Sequence, residues 1–321
     1  MPPLQGEKIS GYADDRGDGS LHWGTCQVHL SGENSQKFPI SAKTRMPIEG
    51  ILQEMNRDLG SDFTVFVYIH GFCNSFDSAI RTAAQLDQNL GLKIAVIAYC
   101  WPSLNSFWYT GDENNVDWTV PHFEEFLLTL SQKIQPKKIH ILAQSMGNRV
   151  LCYGLERIAL QGMHTLPLGQ IIFAAPDVDA GVFCNRIFPK IRGKAERFTL
   201  YTSYTDRALL LSSQIHQYPR LGEIKERPVV LAGMDTLDAT DLKMTFLGHF
   251  YYVRHHAMTQ EIQELLCFNR DPNTRKGELF KEFLDNGMVY WKILNTRTSS
   301  SGGDTYRERA KIYYATDRAL R

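Results

Sequence analysis

The sequence predicts an α/β fold in which a mostly parallel central sheet carries helices on both faces. Two observations lead to this prediction. Short apolar, β-branched runs alternate along the chain with longer stretches of helical periodicity, as is typical of parallel sheets built from strand–helix–strand units. Several of these runs contain very few polar residues, which indicates strands covered on both faces.

The first sixty residues carry a strand and a helix. Residues 21–30 are rich in strand-forming residues and lead into a turn-like Ser-Gly-Glu-Asn stretch. Apolar residues recur at helical spacing through residues 47–59, and Gly60 is expected to end that helix. We expect these elements to form edge strands and a surface helix rather than to supply chemistry.

A series of six buried strands follows, separated by helical segments. The strands are expected at residues 63–69, 93–99, 138–144, 170–175, 197–202 and 228–233. Functional sites of such sheets lie beyond the carboxyl ends of the strands. Several polar residues and one glycine follow strand ends of this series: His70, Gly71, Ser145, Asp177 and Asp206.

Residues 101–112 form a long aromatic-rich stretch without strand or helical periodicity, ahead of a helix expected over residues 118–134. A long loop beside strand ends can act as a lid or as the wall of a pocket. It can equally be packed down for stability alone. Its candidate pocket residues are Trp101, Phe107, Trp108 and Tyr109.

The last fifty residues depart from the alternating pattern. We expect a helix at residues 279–284, strands at residues 288–294 and 311–316, and a flexible loop at residues 298–304. The length of 321 residues suits two small domains or one large α/β domain, and we predict a single domain over residues 1–321.

Composition narrows the range of partners. The chain has 35 Lys and Arg residues and 35 Asp and Glu residues, so we expect neither a nucleic acid nor an anionic membrane as a partner. The six cysteines show no metal-site spacing, and we expect no metal, no cofactor and a reducing compartment. Without a signal peptide or a spanning segment, the sequence predicts a soluble, cytoplasmic protein.

Residues 138–152 pass from a strand to a helix through a tight turn centred on Ser145. The turn reads AQSMG, so small residues stand two places before and two places after the serine. A turn of this kind admits only small flanking side chains and pushes the hydroxyl out over the sheet edge, as in a nucleophile elbow. The following helix would direct the free Met146 N–H to the same place. A chance serine in an ordinary turn is the alternative.

A second motif follows the strand at residues 63–69, where His70 and Gly71 precede Phe72. Gly71 permits a close backbone bend, so that the Phe72 N–H can become a second oxyanion donor beside that of Met146. We expect His70 to brace this loop through hydrogen bonds, because a catalytic histidine should come later in the chain.

An activated serine needs a base and a carboxylate that orients the base. In this fold class the order along the chain is serine, acid, histidine. Among the histidines beyond the last strand of the series, we favour His249 as the base. The alternatives His255 and His256 stand close to an expected helix and can be surface residues or a cap.

Two aspartates compete for the role of the acid. Asp206 follows the strand that usually carries this residue, and Asp177 follows the preceding strand. Both Asp177 and Asp179 can instead cap a helix, and Asp206 can cap a helix that starts near Ala208. We favour Asp206 and keep Asp177 as the alternative acid.

Five segments resemble successive motifs of one family: residues 68–75 (YIHGFCNS), 143–148 (AQSMGN), 174–179 (AAPDVD), 201–209 (YTSYTDRAL) and 248–249 (GH). The family is the poorly characterised, esterase/lipase-like branch of the α/β-hydrolase superfamily. The resemblance covers about residues 11–270, and its most specific parts are the serine and His-Gly motifs. It implies the α/β-hydrolase fold with Ser145 as nucleophile, Asp206 as acid and His249 as base.

Residues 312–318 (IYYATDR) resemble a segment that in such relatives precedes the region similar to residues 11–30. Here the segment stands near the end of the chain. The resemblance therefore suggests a circular permutation, in which a strand from the extension at residues 271–321 pairs beside residues 23–30.

These observations predict a cofactor-free serine hydrolase, a carboxylesterase that acts on a small-molecule ester.

The same residues could cleave thioesters, amides or peptides, or transfer an acyl group, because the shape of the pocket determines which leaving group the enzyme accepts. Two non-catalytic alternatives stay open. One is a binding module with a relict triad, and the other is a scaffold whose residues 298–321 support a homo-oligomer.

Overall fold

The computed structural model describes residues 6–30, 38–106, 108–162, 166–242, 255–275, 279–294 and 308–321. Their strands form a twelve-stranded sheet in the order β1-β4-β3-β13-β6-β5-β7-β8-β9-β10-β12-β11, and β14 pairs with β2 in a small second sheet. The strand bounds in chain order are β1 Glu7–Lys8, β2 Tyr12–Arg16, β3 His22–His29, β4 Ile40–Arg45, β5 Thr64–Ile69, β6 Ala95–Cys100, β7 Lys138–Gln144, β8 Leu168–Ala174, β9 Arg197–Thr202, β10 Asp235–Asp238, β11 Leu279–Phe283, β12 Val289–Ile293, β13 Arg309–Thr316 and β14 Arg318–Leu320.

The described strands confirm the predicted mostly parallel sheet. From β13 across to β12 each strand is parallel to its neighbour. Antiparallel strands extend both edges, with β3, β4 and β1 on one side and β11 on the other. The carboxyl ends of the central strands therefore meet along one edge of the sheet, and His70, Ser145, Asp177 and Asp206 follow these strand ends.

Helices cover both faces of the sheet. Their bounds are α1 Ile48–Leu59, α2 Phe76–Leu90, α3 Tyr109–Thr129, α4 Gly147–Gln161, α5 Ala180–Val182, α6 Phe188–Ile191, α7 Arg207–His216 and α8 His256–Phe268. Short π-helical turns at Leu130–Ile134 and Phe183–Ile187 extend α3 and join α5 to α6. In the part of the chain that the structure describes, no helix combines the length and the apolar character needed to cross a lipid bilayer.

Two apolar clusters lie on the two sides of the sheet because successive strand residues point to opposite faces. In β5, Val65 and Val67 pack with α1, α3 and α4, whereas Phe66 and Tyr68 pack with α2 and α8. All four side chains are fully buried. The fold thus places β5 and β7 at the centre of the sheet, with apolar contacts on both sides.

The last long strand of the chain lies inside the sheet. Strand β13 runs antiparallel to β3, with Ile312 opposite Cys26, and parallel to β6, with Tyr313 opposite Ile97. The expected pairing of this segment beside residues 23–30 is therefore present. The circular permutation that it was expected to accompany stays a prediction.

Two secondary-structure predictions near the second edge of the sheet were wrong. Residues 228–233 form no strand, and β10 begins at Asp235 instead. The Val229 carbonyl accepts a hydrogen bond from the Thr236 hydroxyl at 2.8 Å, which ties this segment to β10. Residues 279–284 contain strand β11 rather than a helix, because a hairpin with Gly287 at φ +79° pairs it with β12.

The stretch at residues 101–112 was also only partly a loop. Helix α3 begins at Tyr109, nine residues before the expected start at Trp118. The polar side chains of Asp112 and Asn115 face inward and are buried, so the apolar periodicity that marks a helix is hidden there. The remaining loop therefore ends at Trp108.

Candidate active site

Ser145 occupies the turn between β7 and α4 in a left-handed backbone conformation, with φ +50°. Three backbone hydrogen bonds hold the turn. The Ser145 N–H donates to the Ala174 carbonyl at 3.0 Å, and the Ser145 carbonyl accepts from the N–H groups of Asn148 at 3.0 Å and Asp177 at 3.1 Å. A serine at positive φ costs on the order of 1–3 kcal/mol, and such strain persists only where the surroundings fix it.

The buried Asn148 side chain reinforces the same turn. Its amide nitrogen lies 2.9 Å from the Ala143 carbonyl and 3.1 Å from the Ser145 carbonyl. Ala175, which follows the neighbouring strand β8, also has a positive φ of +45°. Two strained non-glycine residues thus stand side by side at the carboxyl edge of the sheet, as functional sites often require.

The loop that follows β5 lies directly against this turn. A side-chain carbon added at Gly71 would stand 2.9 Å from the Ser145 Cβ, and one added at Gly147 would stand 2.3 Å from the His70 carbonyl oxygen. Only glycine leaves room for these approaches. The close contact brings the backbone of residues 71–73 beside the nucleophile candidate.

The two candidate oxyanion donors are backbone groups on these two elements. Phe72 follows Gly71, and Met146 stands at the N-terminal cap position of α4. Neither N–H donates a hydrogen bond to the backbone of another described residue outside the regular helices and strands. Both donors therefore have the capacity to bind a developing oxyanion.

His70 lies beneath this loop and is fully buried. Its ring nitrogens face the carbonyls of Gly71 at 2.9 Å and Trp101 at 3.1 Å, and its ring stacks on Trp101 at 5.1 Å. Burial and the nearby Arg318 charge lower the pKa of His70 to about 3. A neutral, enclosed imidazole of this kind can brace the loop, with one ring N–H donating to a loop carbonyl.

Asp206 stands at the end of β9 and is 1% exposed. It caps α7, because its Oδ1 accepts hydrogen bonds from the N–H groups of Ala208 at 3.1 Å and Leu209 at 3.2 Å. The capping role that the sequence suggested is therefore present in the structure. His249 and Phe107 lie outside the described residues.

Asp177 also stands at a strand end, but its carboxylate is already engaged. It accepts hydrogen bonds from the Tyr109 and Ser212 hydroxyls, and the Arg149 guanidinium lies 3.6 Å away. Burial alone would raise the pKa of this carboxyl, but the Arg149 charge and the two hydroxyl bonds outweigh it and keep the pKa below its ordinary value. Of these two aspartates, Asp179 is the helix cap, because its Oδ1 accepts a hydrogen bond from the Val182 N–H at 2.8 Å.

Sequence reasoning missed the ionic cluster around Arg149. Its guanidinium donates to Glu113 at 2.6 Å and to the Asp177 carbonyl at 2.7 Å, and His216 lies 2.7 Å from the same Glu113 carboxylate. An arginine in the first turn of a helix is opposed by the helix dipole, which indicates a nearby acidic partner. The position of Arg149, four residues after Ser145 in the first turn of α4, was the sequence signal that could have predicted this cluster.

The aromatic pocket candidates divide into two groups. Trp101 is fully buried against His70, so it supports the loop and is not a lid. Tyr109 packs 5.5 Å from the Phe72 ring and 5.3 Å from the His216 ring, and thereby joins α3 to the loop and to α7. Trp108 is 74% exposed, and its role in a lid or pocket wall stays a prediction.

A separate cavity of about 370 Å³ lies at the far end of α4. Leu155, Ile158 and Phe198 line it, and the last of these stands near the start of β9 rather than its end. This cavity is remote from Ser145 in the fold. Among the residues placed by the structure, no group of three His, Cys, Asp or Glu side chains could hold a metal ion.

Comparison with known proteins places the chain in a family. Residues 51–267 match the family model described as alpha/beta hydrolase of unknown function, DUF900. No curated protein matches the chain. The matched range covers about two thirds of the chain and contains the serine turn, the loop after β5 and Asp206. The chain therefore belongs to this family of alpha/beta hydrolases, as the motifs indicated.

Proposed function

We propose that this protein is a serine hydrolase that cleaves carboxylic esters through an acyl-enzyme on Ser145. The observation that carries the proposal is the contact between two strand ends. Ser145 is held at positive φ, and Gly71 brings the loop with the Phe72 N–H against it. A nucleophile and two unpaired backbone donors on one edge are the parts that acyl transfer requires.

In the proposed reaction His249 accepts the Ser145 hydroxyl proton while Oγ bonds to the ester carbonyl carbon. The carbonyl oxygen becomes an oxyanion and accepts hydrogen bonds from the Phe72 and Met146 N–H groups. The C–O bond then breaks, and the leaving alcohol takes the proton from His249. Water repeats the sequence on the acyl-enzyme and releases the acid.

We assign the acid role to Asp206 rather than to Asp177. The contacts of Asp177 with Arg149, Tyr109 and Ser212 supply its carboxylate with positive charge and two donors. Asp206 also accepts two hydrogen bonds, but they come from backbone N–H groups of the helix that it caps, whereas the Asp177 carboxylate is committed to a guanidinium. The resemblance to the family motif at residues 201–209 supports the same assignment.

The surface around the site favours substrates with an apolar part. Trp108 adjoins Tyr109, and α7, which Tyr109 contacts through Ser212, exposes Leu211 and Ile215 to solvent. These exposed side chains can offer apolar contact to the acyl or alcohol part of an ester. We further propose a reducing, cytoplasmic location, since the cysteines of the described residues are all free.

The test combines turnover with covalent labelling. The wild-type protein should hydrolyse p-nitrophenyl esters of some chain length and react with a fluorophosphonate probe, and Ser145→Ala should abolish both. Turnover by Ser145→Ala at the wild-type rate would overturn the proposal. Labelling without ester turnover would instead favour a thioester, amide or acyl-transfer substrate. A wild-type protein that is not labelled would indicate a binding module.

A second experiment tests which aspartate is the acid by comparing the asparagine variants of Asp206 and Asp177. Asp206→Asn should lower kcat by a factor of about 10³–10⁴, as expected when a triad base loses its orienting carboxylate. Asp177→Asn should lower kcat by less than about tenfold and reduce mainly the thermal stability. The reverse order of the two kcat values would transfer the role to Asp177.

A further inference from the structure

Arg318 is a fully buried arginine at the start of β14, close to the end of the chain. Its Nη2 donates to the Asn74 carbonyl at 2.6 Å. Its Nη1 lies 3.3 Å from the Ser103 carbonyl and 2.9 Å from the Asp14 carboxylate. One guanidinium therefore joins the N-terminal strand region, the loop after β5 and the loop after β6.

The Asn74 residue that Arg318 contacts controls the loop with the candidate oxyanion donor. The Asn74 side-chain amide donates to the Phe72 carbonyl at 2.9 Å and reaches the Gly71 carbonyl at 3.3 Å. Its backbone N–H donates to the Ser103 hydroxyl at 3.1 Å. Movement of Asn74 would therefore shift the Phe72 N–H, which lies two residues away.

The preceding residue fixes the position of Arg318. Asp317 is buried and accepts hydrogen bonds from the Thr119 hydroxyl at 2.5 Å and from His122 at 3.0 Å, both on α3. Strand β13 pairs with β3 and β6 in the large sheet and ends at Thr316, directly before this dipeptide. The guanidinium is thus delivered to the loop by elements from three distant parts of the sequence.

The energetic cost of this arrangement argues against a purely structural role. Burying a guanidinium costs several kcal/mol, and a well-packed apolar residue often stabilises a core more. Among the described residues Arg318 has a single close carboxylate, that of the partly exposed Asp14, and its Nε has no hydrogen-bond partner. Its other contacts are with three backbone carbonyls, that of Ala13 in β2 and those of Asn74 and Ser103 in the two loops, and an apolar side chain could bond to none of them.

We propose that Arg318 is a positioning residue for the oxyanion hole. Through its contact with Asn74, Arg318 holds the Phe72 N–H against Ser145. This inference rests on the proposed hydrolase function. It makes the end of the chain a working part of the site, although residues 309–321 lie outside the range that matches the family model.

The experiment compares Arg318→Met, Arg318→Lys and the control Arg321→Ala. The Arg321 side chain is 60% exposed and approaches Asp14 at 3.7 Å, so its loss alters the same terminus without touching the loop. Each variant is assayed well below its melting temperature with a p-nitrophenyl ester and with the matching thionoester, whose developing sulfur anion is bound poorly by oxyanion-hole donors.

We expect Arg318→Met to lower kcat by about 30-fold with KM changed less than threefold, and to lower the ester-to-thionoester rate ratio. Arg318→Lys should give intermediate values, and Arg321→Ala should match the wild type. A folded Arg318→Met, or Arg318→Lys if only that variant folds, with wild-type kcat and rate ratio would overturn the inference. Failure of both to fold would assign Arg318 to stability instead.

Fluorophosphonate labelling separates this inference from the proposed function. A wild-type protein that is neither labelled nor active removes the hydrolase proposal, and the inference with it. A wild-type protein that is labelled and active, with an unaltered Arg318→Met, removes only the positioning role.

Discussion

The serine turn and the loop after β5 lie side by side, but different kinds of bonds hold them. The Ser145 backbone bonds to the backbone of Ala174, Asn148 and Asp177. The loop backbone bonds to side chains: the Cys73 N–H donates to the Asp112 carboxylate at 3.3 Å, and the Asn74 N–H donates to the Ser103 hydroxyl. Arg318 completes this second set from the far end of the chain.

The difference shows which part of the site depends on specific residues. Backbone-to-backbone bonds form whenever β7, β8 and α4 come together, so the serine turn follows directly from the fold. Among the residues that the structure describes, residues 70–74 of the loop have no backbone-to-backbone bonds of this kind, and the loop keeps its shape while distant polar side chains remain in place. We therefore expect the nucleophile to be tolerant of polar substitutions nearby and the oxyanion donors to be sensitive to them.

Among the substitutions that test this comparison, one at the contact between the two regions should give the largest effect. In Gly147→Ala the added carbon would stand 2.3 Å from the His70 carbonyl and 2.9 Å from that of Ile69, and neither backbone group can rotate away. We expect kcat to fall by more than about 100-fold and stability to fall by about 3 kcal/mol. Turnover and chemical denaturation of the purified variant provide the measurement.

Gly181→Ala is the matched control for that substitution. A carbon added there meets only the Asp179 side chain, at 3.3 Å, in a short helix on the surface. Its stability should change by less than about 1 kcal/mol and its kcat should not change. Equal behaviour of the two alanine variants would show that the two regions do not interlock as described.

This contrast also explains how much could be predicted from the sequence. The Ser145 turn and Gly71 were accessible because their requirements are local: small flanking residues and a strand on one side. The contacts of Asp112 and Arg318 were not, because a polar residue inside a helix or after a strand gives no sign of a partner about 40 or 240 positions away.

The errors in the fold have a similar origin. Helix α3 begins at Tyr109 because inward polar residues are satisfied by tertiary contacts, as when the Asp112 carboxylate accepts from the Leu104 N–H at 2.7 Å. Apolar periodicity cannot reveal such a segment. Residues 279–283 became a strand because β12 was available to pair with them, a condition that no local pattern records.

Two polar substitutions, one in the support of the loop and one in the serine turn, test whether the two regions differ in their dependence on side chains. Asp112→Ala removes the acceptor of the Cys73 and Leu104 N–H groups and of the Ser103 hydroxyl. We expect kcat to fall by about 30-fold, since the loop loses its support. Asn148→Ala removes the side-chain bonds of the serine turn but leaves its backbone bonds, so kcat should fall by less than about fivefold.

Steady-state kinetics of both variants, with circular dichroism to establish that they fold, measures this difference. Each substitution should also lower stability by about 1–3 kcal/mol, because buried polar groups lose partners. A larger loss of kcat in Asn148→Ala than in Asp112→Ala would contradict the distinction between the two regions.

The smallest effect concerns pH, since His70 gives the loop a titratable group close to the nucleophile. The pKa of His70 is about 3 in the folded protein and 6.5 in the unfolded chain, where it has its ordinary value. Below pH 6.5, therefore, the unfolded chain binds a proton that the folded protein does not bind. Stability from this source is complete above pH 6.5 and is lost as pH falls toward 3. Between pH 7 and pH 5 the free energy of unfolding should fall by about 2 kcal/mol from this source.

Urea denaturation of the wild type and of His70→Gln at both pH values measures this fall in the free energy of unfolding. The variant should be less stable at pH 7 but should lose about 2 kcal/mol less on acidification, and parallel losses would mean that His70 is protonated in the folded loop.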